Sequence, residues 1–496
     1  MLALVACFDE INPPVSSKNM GFFFYDETKE EMYIEVTENE NNLLVEPNTP
    51  RRKGYEFDDW FTEESEIFDF SKPIDKSISI YAKWLDNRTL PEMHINLFDK
   101  NDKVININSV NRAEYVNGTI SLKNTKTKYL IEEAKTEFRG RGNGSWAEAK
   151  KGYRIKFDKK QPLFGEEASK HWAIIACSNL DDRTLMKNAI AFGLAREIFS
   201  DIGYTTSTRW IDTYINGSYY GVYLLTEHVR VDKGRVDIES DYGVLDTGYL
   251  IEYDGYGDFD STTNTFLTQG LHYFRVPGMR YPFTVKSPDP EDYAEEVSLD
   301  QYKAQVEFIK DYTTKVYNAG LSKNFEAFRT FTDVDSFVDM YILNEYFKNT
   351  DIGWSSFFMY KKPGGKLFCG PAWDFDYTAG ASRGDSGYTG IYVANTVQTL
   401  ANYGANELLI ALYNTKEFKD LVVKRWNELS ADIKKYVNEA ISTNFVADKT
   451  TVMARNFILW KNQGVIEAER AWVNKTNELK SWLMSRASWL DSEWKE

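Results

Sequence analysis

The sequence predicts an α+β protein in which a small all-β module precedes a large mixed region with a helical C-terminal part. Three observations carry this. Between residues 20 and 86, short alternating apolar and polar runs (22–25, 32–36 and 78–84) read as strands. From 88 to about 400, strand-like runs are interleaved with apolar segments at helical spacing. From about 405 onward the pattern is helical, rich in Trp, Leu, Lys and Glu. No Pro/Gly-rich linker sets this tail apart, so residues 88–496 read as one large domain.

Composition bounds the answer further. A chain of 496 residues exceeds one compact domain, and 42% hydrophobic residues are ample for real cores. With 59 basic and 75 acidic residues the net charge is −16, which argues against nucleic-acid binding, because that needs a basic surface. Cys7, Cys177 and Cys369 make neither a disulfide framework nor a zinc set, and the last two sit in apolar runs as buried thiols. His94, His171, His228 and His272 are scattered, with no HExxH and none after 272, which disfavours zinc hydrolysis and His-dependent acyl transfer. No run of 18 apolar residues exists, so nothing spans a membrane. The opening "MLALVAC" reads in two ways: the end of a truncated lipoprotein signal in residues 1–19, with a lipid anchor at Cys7, or a buried first strand.

In the first module the strands flank "PNTPRRKGYEFDDWFTE". Pro50, Arg52, Gly54, Tyr55, Phe57, Trp60, the 68–70 run, Pro73, Ile74 and the 81–84 run match the spacing of internalin-type B-repeats. Residues 20–86 therefore resemble that repeat, which implies a β-grasp-like adhesion or spacer module of secreted bacterial proteins.

In the mixed region, strands are expected at 93–98, 118–122, 153–157, 172–176, 210–215 and 221–225. Asn216-Gly217 between two of them is a hairpin signal. A helix is expected from about Asp182 to Phe199 with an Asp at its cap, and a second over 334–348.

Four stretches could carry chemistry. "FRGRGNGSW" (138–146) would let backbone amides approach a phosphate beside Arg139 and Arg141, or is simply a Gly-rich hairpin loop. In "KKGYRIKF", strand parity puts Lys151 on the apolar side with Tyr153, Ile155 and Phe157, where a cation needs a partner or a bound anion. Arg154 and Lys156 fall on the other side, which could be a solvated face. Glu227, at the end of an apolar strand, is either a loop residue or the partner of a phosphate-binding lysine. In the segment 344–380, a helix runs out at Asp351, a hairpin turns at Pro363-Gly364-Gly365, and the return strand leads to Asp374 and Asp376. The hairpin should bring Asp351 and Asp374 together, and residues i and i+2 of a strand share a face. Such carboxylates suit magnesium or manganese, the alternative being a solvated strand. "GASRG" (380–384) satisfies GxSxG, but it follows polar residues and no histidine lies after it.

Together "LPEMHI", "FRGRGNGSW", "KKGYRIKFDKKQPLFG", "WAIIACSNLDDRTLMKNAIAFGLA", "YINGSYYGVYLLTEHV", "NEYFKNTD" and "GPAWDFDYTAG" resemble, in order, the CotH family of spore-coat-protein-H-like atypical protein kinases. The resemblance implies a kinase-like fold and ATP- and Mg2+- (or Mn2+-) dependent phosphoryl transfer to Ser or Thr of a protein substrate. It makes Asp351 the catalytic Asp, Asp374 the principal metal ligand, and Asp376 a sharer of the metal or its water shell. Lys151 becomes the phosphate-contacting lysine, with Lys156 the alternative, and Glu227 its partner or a border of the nucleotide. Arg141, Asn143 and Ser145 would cover the phosphates. One departure stands out: Ser355 and Ser356 occupy positions where many members carry Asn as a second metal ligand. The alternative is a catalytically silent, kinase-like surface scaffold or adhesion protein. Either way the repeat implies an extracellular or bacterial cell-surface location.

Overall fold

Alternating aromatic residues in the first module become a four-stranded sheet. The computed structural model describes residues 19–37, 42–176, 184–260, 265–266, 271–290, 292–381, 386–395, 406–461 and 463–495. The chain divides into two units, Met1–Thr89 with Asn124–Leu130, and Leu90–Lys123 with Ile131–Glu496. Cys7, Cys177, Asp182 and part of the GASRG stretch lie outside the described residues.

In the first unit, β1 (Met20–Phe24), β2 (Met32–Thr37), β3 (Tyr55–Phe61) and β4 (Ile78–Asp86) pair in the order β2-β1-β4-β3. The central β1–β4 pair is parallel. Phe23, Trp60 and Ile80 are fully buried, with the Phe23 and Trp60 rings edge-to-face at 5.0 Å. Residues 124–130 join this unit through Asp58, whose carboxylate accepts the Thr127 N–H at 2.9 Å and its hydroxyl at 2.7 Å. A buried carboxylate needs such donors, and this one recruits them from a later stretch of chain.

In the second unit seven strands close into a barrel: β5 (Glu92–Phe98), β6 (Val116–Lys123), β7 (Ile131–Arg141), β8 (Gly152–Gln161), β9 (Ser169–Ile175), β10 (Thr208–Ile215) and β11 (Ser218–Glu227), in the order β10-β11-β9-β8-β7-β6-β5. The expected strands are present, but their closure is not legible in single segments. It is made by a parallel pairing of β10 with β5, from Asp212↔Glu92 to Ile215↔Ile95. Every second residue points inward, so Ile95, Ile120, Phe138, Ile155, Ile174 and Ile211 fill the interior. Asn216 (φ 49°) and Gly217 (φ 81°) make the left-handed turn between β10 and β11.

Beyond the barrel, α1 (Lys187–Glu197) starts later than expected, and its cap Met186 makes no side-chain capping bond. The first-turn residues Lys187 and Asn188 are buried and bonded elsewhere in the fold. A mixed segment follows with β12 (Tyr249–Tyr253), the short ribbon β13 (Phe259–Asp260) and β14 (Thr265–Phe266), then β15 (Tyr273–Phe274) and β16 (Phe283–Ser287). Helices α2 (Tyr293–Glu296), α3 (Leu299–Leu321), α4 (Phe325–Phe331) and α5 (Val334–Phe347) lead to the hairpin β17 (Phe357–Lys361) and β18 (Leu367–Cys369). These strands form a five-stranded sheet, β15-β16-β12-β17-β18.

Helix α5 lies within the expected 334–348 span; Asp333 caps it by accepting the Ser336 N–H, and it ends at Lys348 in the left-handed region (φ 48°). The C-terminal part is helical, with α6 (Glu407–Tyr413), α7 (Lys416–Ala440), α8 (Thr443–Lys461) and α9 (Val465–Glu493). Trp426 and Trp472 from these helices, and Trp494 at the end of α9, share one core with α1, α5 and the five-stranded sheet. Cys369 is fully buried there. Among the described residues no helix is long and apolar enough to cross a membrane.

Candidate functional site

A cleft of about 470 Å3 opens in the second unit, between one end of the barrel, the start of α1 and the inner strands β16, β12 and β17 of the five-stranded sheet. The turn between β7 and β8 forms one wall. Its shape follows from two glycines. A Cβ on Gly140 would lie 2.2 Å from the Trp146 ring, and Gly142 has φ 100° with Ser145 Oγ where a Cβ would sit. Arg141, Asn143 and Ser145 line the cleft here, joined by Arg112, Arg139 and Arg154. Arg112 donates to Gly142 O at 3.0 Å and to Asn143 Oδ1 at 3.2 Å, while Arg141 lies over the Trp373 ring at 5.4 Å. This wall is strongly cationic.

The same cleft is lined by Asp351, Asp374 and Asp376. The β17–β18 hairpin, with Met359 opposite Cys369, returns the chain and brings the three together, as the spacing suggests. The reason given from sequence for the Asp374–Asp376 pair is nevertheless wrong. Neither residue is on a strand: β18 ends at Cys369, and Asp374 has φ 64°. A tight loop, not pleat alternation, puts both in one cleft. Non-glycine residues in this left-handed region concentrate at functional sites. Ser356, which donates its hydroxyl to Asp374 Oδ2 at 3.2 Å, shares it with φ 64°.

The loops are laced together. Thr350 donates its hydroxyl to Tyr377 O at 2.8 Å, and the Ala379 N–H reaches Phe347 O at 2.7 Å. From the first turn of α1, Lys187 Nζ donates to Thr378 O at 2.5 Å. Asn188 Oδ1 accepts the Phe375 N–H at 2.7 Å, and its Nδ2 donates to Asp376 Oδ1 at 3.3 Å. Burial, and then the carboxylates of Asp376 and Asp351, push the Asp374 carboxyl well above its ordinary range, with the Arg141 guanidinium opposing. Converging acids of this kind hold a proton or a cation.

Among the described residues no group of three or more His, Cys, Asp or Glu side chains is arranged as a ready-made metal cage. The donor set still fits magnesium, which is commonly held by one or two carboxylates with substrate phosphates and water supplying the rest. Asp374 and Asp376 are such a pair.

Three expected binding residues sit elsewhere. Strand β8 begins only at Gly152, so its parity does not reach Lys151. The Lys151 ammonium folds back on its own turn, donating to Trp146 O at 2.5 Å and Glu148 O at 2.9 Å. It is Lys150 that lines the cleft, buried, with its ammonium on Ala176 O at 2.8 Å and over the Tyr223 ring at 4.1 Å. Lys156 stands outside the cleft in a 3.0 Å pair with Glu137. Glu227 is buried, pairs with Arg235 at 3.3 Å, and accepts from Tyr204 and from the Ser207 N–H at 3.1 Å each. Its partner is an arginine of the fold interior, not a phosphate-binding lysine.

Sequence reasoning also missed residues that the cleft contains. Glu252 and Asp254 from β12 and its end, and Lys286 from β16, line it together. Lys286 pairs with Glu252 at 2.8 Å and Asp254 at 3.6 Å. Burial, and then Asp254, raise the Glu252 carboxyl to about 7, against the pull of Lys286. His228 is held neutral, first by burial and then by Arg154 and Arg141, and Arg154 bonds to its Nε2. Glu252 and Lys286 were legible as charges interrupting apolar strands (Ile251-Glu252-Tyr253, Val285-Lys286), a pattern that marks a buried polar role.

A family model described as CotH kinase protein matches residues 138–490. A second, the Listeria-Bacteroides repeat domain, matches residues 23–83. No curated protein matches the chain.

Proposed function

Because the chain belongs to the CotH kinase protein family, we propose that it transfers the γ-phosphoryl group of ATP to a Ser or Thr hydroxyl of a protein in this cleft. One observation carries the reading. A cationic Gly-rich turn and three carboxylates line a single cleft, the division of labour that phosphoryl transfer requires.

In this reading the backbone amides of the 142–145 turn, with Arg141, Asn143 and Ser145, hold the phosphates. Asp374 and Asp376 hold Mg2+ or Mn2+. A bound divalent cation neutralises phosphate charge and orients the transferred group. Asn188 and Lys187 keep the 374–378 loop in place. Asp351 orients the acceptor hydroxyl and takes its proton as the oxygen bonds to the γ-phosphorus and the bond to ADP breaks. Incubation with labelled ATP, Mg2+ or Mn2+ and a Ser-rich protein tests this. Labelling should require Asp351 and Asp374; equal labelling by wild type and Asp374→Ala overturns the metal assignment.

A second reading is a catalytically silent surface scaffold. It is favoured by Ser355 and Ser356, which stand where the resemblance implies a metal-binding Asn. Saturable stabilisation by ATP that needs divalent metal supports the kinase, and its absence supports the scaffold.

We place the protein outside the cell or on a bacterial surface, on the strength of the repeat module. Recovery of the full-length protein from the cytosol of its host overturns that placement.

A further inference from the structure

The expected phosphate-binding lysines do not enter the cleft, which raises the question of which lysine does. Lys150 and Lys286 are the two in its described lining. Lys150 is only 2% exposed and its ammonium is engaged by the Ala176 and Val222 carbonyls, a structural role at the barrel end. Lys286 differs. Its side chain is 31% exposed, and an ammonium has three N–H groups to share between its two carboxylate partners and a ligand.

Glu252 connects this lysine to the metal-binding wall. One oxygen takes the Lys286 ammonium at 2.8 Å, and the other accepts the Ser356 N–H at 2.9 Å. Ser356, at φ 64°, then donates its hydroxyl to Asp374 Oδ2 at 3.2 Å. An unbroken chain of one ion pair and two hydrogen bonds therefore runs from Lys286 to Asp374, across strands β16 and β12 and the loop before β17. Phosphate oxygens gathered at Asp374 would lie near a lysine whose side chain is partly exposed and whose ammonium is held in place by a buried carboxylate.

We propose that Lys286 is the phosphate-contacting lysine of this cleft and that Glu252 is its positioning residue, fixing Lys286 and the Ser356 backbone together beside Asp374. This rests on the nucleotide reading above and extends it to residues that the sequence did not single out. A lysine merely neutralising Glu252 and Asp254 would affect stability and nothing else.

The experiment is calorimetric titration of the full chain with Mn2+ alone and with ATP plus Mn2+, alongside thermal unfolding of each variant. Lys286→Met is expected to weaken ATP binding roughly tenfold or more, the loss of a charge-assisted hydrogen bond. Mn2+ binding alone should be unchanged. Lys286→Arg should restore most of the affinity, and Lys156→Met, outside the cleft, should match wild type. Glu252→Gln keeps an acceptor for Ser356 but loses the ion pair, so it should weaken ATP binding while Mn2+ binding stays. Should Lys286→Met fail to fold, Lys286→Gln makes the same comparison. Wild-type ATP affinity in folded Lys286→Met or Lys286→Gln overturns the inference and leaves the nucleotide reading standing. Absence of ATP binding by the wild type overturns both.

Discussion

Asn188 holds Asp376 from the first turn of a helix that is 188 positions away in sequence: its Nδ2 donates to Asp376 Oδ1 at 3.3 Å while its Oδ1 accepts the Phe375 N–H at 2.7 Å. The side chain is 1% exposed, so no water replaces it. Asn188→Leu, close in size but without polar atoms, should cost about 1–3 kcal/mol by leaving the Phe375 N–H unpaired. Urea unfolding measures that loss. A Mn2+ titration should also show weaker binding, because Asp376 is released.

The three cleft aspartates should separate by assay. Asp351→Asn should retain Mn2+ and ATP binding and lose roughly 100- to 10,000-fold in transfer, the usual worth of a general base. Asp374→Ala should lose Mn2+ binding and transfer together. Asp376→Ala should lie between them, and Mn2+ titration beside a labelled-phosphate assay distinguishes all three.

Substituting the lysines near the Gly-rich turn should tell them apart. Lys156→Ala removes an exposed pair with Glu137 and should change stability by about 1 kcal/mol or less. Lys151→Ala loosens the turn itself, because its ammonium ties Trp146 O and Glu148 O. Hydrogen exchange at residues 142–148 should accelerate in Lys151→Ala and remain unchanged in Lys156→Ala.

The buried Glu345–Arg486 pair fastens α9 to α5. Its 2.6 Å contact is fully enclosed, and Glu345 also accepts the Tyr392 and Val393 N–H groups at 2.7 and 2.8 Å. Arg486→Met leaves that carboxylate buried without its cation, and a loss of about 3–5 kcal/mol is expected. Thermal unfolding reads it directly.

Acid should destabilise the second unit through His171. Burial, and then Arg230 and Arg154, lower its folded pKa from 6.5 to about 3. Between these values the unfolded chain binds a proton that the folded chain refuses, so stability falls as pH drops from about 6.5 towards 3. His171→Gln should flatten that part of a stability–pH curve measured by urea titration.

Much of the local architecture was readable from neighbouring residues. The apolar run from 334 announced α5, Asn216-Gly217 announced the β10–β11 turn, and Pro363-Gly364-Gly365 announced the hairpin that joins Asp351 to Asp374. Lys151 shows where such reading fails. Strand parity holds only where the chain is a strand, and at Lys151 it is still a turn.

By itself the sequence determined the α+β succession, the family, the Gly-rich turn and the three aspartates, because caps, turns and periodicity are set by residues within a few positions of one another. Tertiary structure alone decided that β10 meets β5 and closes a barrel, that Asn188 holds Asp376, and that Lys286 and Glu252, not Lys151 and Glu227, share the cleft with Asp374. Those relationships join residues tens to nearly two hundred positions apart. Their partners are chosen by the need to pair every buried charge and backbone donor, which exists only once the chain has packed.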